Sequence, residues 1–149
     1  MPRPRGHDWL EDEIIKLKKD EVQTIVSLLE QGETLQLGIE DEGAICDKHE
    51  VGFISFPIPD REIPTEQWAV NQLIYGLVQE INEGKTVVIH CRMGIGRSTI
   101  IAGAVLLQFG MSAEQILSRI SEVRKIQVPD TNEQVQWLHQ QERLKRNAE

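Results

Sequence analysis

Apolar positions along the chain fall into two periods. Leu10, Ile14, Ile15 and Leu17 recur at helical spacing, and Asp8 with Glu11 three residues later has the form of a capping box, which predicts a helix over 9–19. VQTIVSLLE (Val22 to Glu30) is short, β-branched and apolar, and predicts a buried strand. Residues 31–50 mix acidic clusters with Gly32, Gly38 and Gly43 and predict short helices and turns. VGFISFPI (Val51 to Ile58) predicts a second strand. The stretch PIPDREIP cannot be helical, because Pro57, Pro59 and Pro64 fix φ and remove donors. Trp68, Leu73, Leu77, Val78 and Ile81 predict a helix over 65–83, ended by Gly84. KTVVIH (Lys85 to His90) predicts a third strand, and 97–109 a helix ended by Gly110. Ser112 can cap a helix reaching about Lys125; VPDT (Val128 to Thr131) is a loop, and 132–146 the last helix. Strands alternating with helices predict an α/β layered domain with a mostly parallel sheet.

Composition narrows this frame. The 149 residues, 40% hydrophobic and 27% charged, are those of one globular domain over 1–149. The apolar runs are too short for a membrane span, and the basic start MPRPRGHDW has no apolar stretch behind it, so neither a membrane partner nor a secretory signal is expected. The net charge of −8 repels nucleic acid, and a polyanionic substrate would need a local basic pocket. Two cysteines, Cys46 and Cys91, do not make a disulfide framework, which points to a reducing cytoplasm. With four scattered histidines they give no zinc spacing, so no metal and no cofactor are expected.

The chemistry concentrates in HCRMGIGRS, His90 to Ser98, between the third strand and the following helix. A strand, a tight loop and a helix N-terminus gather backbone N–H groups around one point, which suits a phosphate. It is not a Walker A loop: Cys91 stands at the first glycine position and Arg97 at the lysine. Nor is it a dinucleotide fingerprint, because Thr99 takes the place of the third glycine. A thiol at a helix N-terminus beside a guanidinium has a depressed pKa and is a thiolate at neutral pH. Arg92, Met93, Gly94, Ile95, Gly96 and Arg97 would form the phosphate-binding loop, with Arg97 gripping two phosphoryl oxygens in its planar fork. Ser98 would donate to the sulfur as it leaves, and His90 would shape the loop as a donor behind it.

HC-x5-RS resembles the protein-tyrosine phosphatase superfamily, whose phosphate loop reads HC-x5-R-S/T. The resemblance covers about 8–140 and favours the compact dual-specificity branch, similar to kinase-associated phosphatases and their prokaryotic relatives. It implies a central, mostly parallel sheet of four to five strands with helices on both faces. It also implies metal-independent hydrolysis through a cysteinyl-phosphate, with phosphorylated protein as the partner: phosphotyrosine first, phosphoserine and phosphothreonine as the wider class. A proline-flanked aspartate in the smaller members implies Asp60 as the general acid, then the base for water; it follows the second strand, on the rim shared with Cys91. Asp41, Asp47 and above all Asp130 are rival carboxylates. VPDTNEQVQW resembles the family's glutamine loop, where Gln134 matches the later water-orienting glutamine and Asp130 stands where some members have the first. Family domains often begin with a strand, and only MPRPRGH precedes the first helix here; either that strand is absent or the chain starts late. Three other functions stay open: a binding module that reads phosphoproteins without turnover, a phosphatase of a non-protein substrate such as a phosphoinositide, and sulfur or arsenate chemistry on another fold.

Overall fold

The computed structural model describes residues 1–149. Strands form at the three places where apolar and β-branched residues run together: β1 (Val22–Ser27), β2 (Gly52–Ser55) and β3 (Thr86–His90). They pair in parallel in the order β2-β1-β3, with Ser27 level with both Ser55 and His90. The expected four to five strands are therefore three. The segment ahead of the first helix carries Pro2 and Pro4, which have no N–H for a ladder. It makes only isolated bonds there: the Met1 amine to the Ile89 carbonyl at 2.7 Å and the Arg3 amide to the Arg92 carbonyl at 3.2 Å.

Seven helices join and flank the strands: α1 (Leu10–Lys19), α2 (Gln31–Leu37), α3 (Glu42–Lys48), α4 (Gln67–Asn82), α5 (Arg97–Gln108), α6 (Ala113–Arg124) and α7 (Asn132–Ala148). Asp8 is not a cap; it lies inside a 3-10 turn, His7–Trp9, that leads into α1. Ser112 and Thr131 do cap α6 and α7, each in a reciprocal box with the glutamine three residues on. No helix is long and apolar enough to cross a membrane.

Alternation along β1 explains the layers. Ile25 faces Ile14 of α1 and Cys46 of α3, while Val26, next along, joins Leu73 and Leu77 of α4, Ile100 and Ile101 of α5 and Leu138 of α7. Both faces of the sheet are covered, as a parallel sheet requires. Parallel pairing also puts the carboxyl ends of all three strands on one rim, so the segments after β1, β2 and β3 meet there.

Candidate active site

Cys91 to Gly96 turn between the end of β3 and the start of α5. Two glycines permit the turn. Gly94 has φ +70°, and a Cβ there would come within 2.5 Å of the Arg124 guanidinium. A Cβ on Gly96 would meet the Gln134 amide at 2.8 Å. Arg124, at the end of α6, donates to the carbonyls of Gly94 (2.7 Å) and Met93 (3.3 Å), tying them down from behind. It is thus part of the loop's support.

Cys91 is buried, with Sγ 3.3 Å from the Ser98 hydroxyl. Burial pushes the thiol up. The Ser98 hydroxyl, the amides of Ser98 and Gly94 and the Arg97 charge together outweigh that and hold it below its ordinary value.

Arg97 is 2% exposed and its terminal nitrogens are fully engaged. Nη1 and Nη2 form a two-pronged pair with Glu33, both at 2.8 Å; Nη1 also donates to the Ile58 carbonyl at 2.8 Å, and Nη2 to Asp60 at 3.1 Å. Burial works against the guanidinium charge, but Glu33, Cys91 and Asp60 raise its pKa above the ordinary value. Burial raises the Glu33 carboxyl too, yet Arg97 and the Glu30 amide carry it below the usual range. The Glu33 side chain is 12% exposed and that of Asp60 58%, so the Asp60 contact is the more readily exchanged of the two.

Comparison with known proteins decides the family. A model described as "Tc-R-P: Polymorphic toxin system, DSP-PTPase phosphatase" matches residues 1–111. The chain belongs to that phosphatase family. Solved structures share its fold over most of both chains. Kinase associated phosphatase, with its catalytic-site cysteine replaced by serine, has a TM-score of 0.88 at 21% identity, over 99% of this chain and 86% of that one. PTPMT1 in complex with PI(5)P has 0.80 at 20%, over 93% and 88%. Tk-PTP in the active form has 0.78 at 26%, over 96% and 88%. No curated protein matches the chain.

In this phosphatase the loop after β2 brings Asp60 to the rim of the Cys91 loop. A turn closes from the Glu62 amide to the Pro59 carbonyl at 3.0 Å, with Arg61 at φ +63° in its third position. Arg61 then reaches across to Asp130, with Nη1 3.1 and 3.2 Å from its two oxygens. The rival carboxylate Asp130 is thus paired with the neighbour of Asp60. Gln134 is buried against Gly96, its Oε1 accepting from the amides of Asp130 and Thr131 and its Nε2 donating to the Glu62 carbonyl at 3.2 Å. It joins the glutamine loop to the Asp60 loop.

His90 is buried, with Nδ1 3.2 Å from the Cys91 carbonyl and Nε2 2.8 Å from Glu42 Oε1. Cys46 is buried one turn further along α3, and burial with the nearby Glu42 pushes its thiol up to about 12. The Arg3 guanidinium bonds the Pro4 carbonyl and that of Arg5 pairs with Glu13.

Glu33 and Glu42 lie in the acidic stretch 31–50, whose sequence predicts only short helices and turns. One signal was available for Glu33. Glu30 and Glu33 form a capping box at a helix start just beyond β1, on the rim where Cys91 and Asp60 also sit. Glu42 has no local signal; it is placed by the packing of α3 against the sheet.

Proposed function

We propose that the protein is a metal-independent phosphomonoesterase of the protein-tyrosine/dual-specificity type, with phosphorylated protein as its substrate. The observation that carries this reading is a buried thiol with a lowered pKa, inside a loop that also holds Ser98, Arg97 and, through Arg97, Asp60. The substrate's phosphoryl oxygens take the loop amides, Arg97 Nε and the N–H of Nη2 from which they displace the exposed Asp60 carboxyl. The Cys91 thiolate attacks phosphorus as the P–O bond to the leaving group breaks. Asp60, freed from Arg97, takes up a proton from solvent and gives it to the leaving oxygen, and the phosphoryl group rests on sulfur. Water then attacks the cysteinyl-phosphate and Asp60 takes its proton. The S–P bond breaks, the thiolate returns to its hydrogen bond from Ser98, and inorganic phosphate leaves. Gln134 supports this step by fixing the Asp60 loop against the loop of Asp130.

The reading is tested by hydrolysis of p-nitrophenyl phosphate in EDTA, followed by a comparison of phosphotyrosine peptide, phosphothreonine peptide and phosphoinositide. Turnover with a preference for the peptides is expected. A preference for the lipid by kcat/KM would replace the protein substrate with a phosphoinositide, and phosphate binding without turnover would make the chain a reader.

Asp60→Asn is expected to slow hydrolysis by about 10²-fold or more for alkyl-like, poor leaving groups and far less for p-nitrophenol, because only a poor leaving group needs the proton. Equal slowing across a leaving-group series would remove the acid assignment. Asp130→Asn is expected to cost only a few-fold, the scale of an exposed ion pair of about 1 kcal/mol or less. It should also expose the Arg61–Glu62 bond to trypsin, read as a rise in cleavage after Arg61 by mass spectrometry. A leaving-group-dependent loss in Asp130→Asn would make Asp130 the acid instead.

A further inference from the structure

The one buried acidic side chain without a place in this chemistry is Glu42. It is 2% exposed and lies beneath the phosphate loop on α3, and its Oε2 has no hydrogen-bond partner. Its other oxygen meets His90, which is wholly buried. Two protons can be placed from geometry alone. The Cys91 carbonyl only accepts, so Nδ1 of His90 carries a proton and donates it there. Nε2 and Glu42 Oε1 stand 2.8 Å apart, a hydrogen-bond distance that requires a second proton between them. Whichever partner holds it, the pair is neutral as a whole.

We infer that Glu42 is a positioning residue for the phosphatase: by bonding Nε2 it fixes the ring and tautomer of His90, which keeps an N–H on the carbonyl of Cys91 and so sets the first peptide of the phosphate loop. In a trans peptide the carbonyl and the following N–H point in opposite directions. Holding the Cys91 carbonyl toward His90 therefore turns the Arg92 N–H to the other side of that peptide, where the loop's amides gather. Without Glu42, Nε2 is buried with no partner, and the ring is free to change tautomer or turn, releasing the carbonyl. The inference rests on the reading of Cys91 as nucleophile, but its main test needs no substrate.

Alkylation of Cys91 by iodoacetamide against pH reports the thiolate; Cys46 does not contribute, being buried with its thiol pushed up to about 12. In Glu42→Ala the alkylation profile is expected to move to higher pH. On the rising limb of that profile the rate should fall about tenfold, the cost of one buried unsatisfied group, with a similar loss in kcat/KM. In Glu42→Gln the amide N–H donates to Nε2 and leaves the proton on Nδ1, so the profile should stay within about twofold of wild type in rate. A wild-type profile in Glu42→Ala overturns the inference, and so does a Glu42→Gln profile as displaced as that of Glu42→Ala. Should Glu42→Ala not fold, nitrogen-15 spectra of the wild-type histidines at pH 7 decide: a protonated Nδ1 on His90 supports the inference and an unprotonated one overturns it. Loss of phosphatase activity in every assay, with these readouts as expected, would count against the proposed function and leave the positioning of Cys91 standing.

Discussion

Replacing Cys91 with serine is expected to lower hydrolysis of p-nitrophenyl phosphate by about 10⁴-fold or more, the scale of losing a covalent nucleophile. Phosphate binding should survive. The sulfur is the only atom changed. The loop amides, the helix N-terminus and the Arg97 fork all stay, held from behind by Arg124 and Glu33. The environment that lowers the Cys91 thiol cannot ionise a serine hydroxyl at neutral pH, because a hydroxyl starts far more weakly acidic. Two measurements check this: turnover in EDTA, and titration of the variant with inorganic phosphate by calorimetry. Retained turnover would mean that another group attacks phosphorus; lost phosphate binding would mean that the sulfur, not the loop, holds the anion. The wild-type rate should also persist below the pH at which an ordinary thiol is protonated. The folded pKa of Cys91 is below its ordinary 9.0, so the thiolate is present above the folded value and is lost only as pH falls through it.

Arg97→Ala is expected to damage both catalysis and the fold. Removing the guanidinium proposed to grip the phosphoryl oxygens should cost about 10²- to 10³-fold in kcat and weaken phosphate binding as well. The same change strands Glu33, a carboxylate 12% exposed that is paired to Arg97 through both oxygens. Breaking a buried pair by removing one partner costs about 3–5 kcal/mol. The two losses separate in the double variant Arg97→Ala/Glu33→Gln, which removes the stranded charge: stability to urea should largely return and activity should not. If stability stays as low as in the single variant, Glu33 is not the reason for it. The pH dependence has a definite sign. The Glu33 carboxyl is lowered from 4.5, so its contribution to stability is fully present above that value and fades as pH falls through the folded one. Wild type should therefore lose an acid-side increment of stability that the double variant lacks.

How far the sequence reaches can be seen residue by residue. The strands, the breaks at Gly84 and Gly110 and the Ser112 cap were legible, because periodicity, φ freedom and a side-chain oxygen act within a few residues of where they stand. HC-x5-RS was legible for the same reason: Cys91, Arg97 and Ser98 lie within eight consecutive residues and one loop brings them together. Asp60 was placed on the common rim by parallel topology, and the structure sets it on Arg97. Asp8 was misread, since a capping-box pattern states only what a side chain can bond, and a 3-10 turn took that place.

Determined by the sequence alone, then, were an α/β order of elements, the thiol–guanidinium loop and the aspartate that follows the second strand. Tertiary structure alone decided that the sheet has three strands, that Arg97 is held by Glu33, that Asp130 is tied to Arg61 and that Glu42 stands behind His90. The reason is range. Those side-chain pairs are 48 to 69 residues apart in the chain. Nothing in a local pattern marks one acidic residue of a helix as buried against an arginine and its neighbour as solvated. That choice is made when helices pack on the sheet, where an unpaired buried charge costs several kcal/mol and a paired one does not.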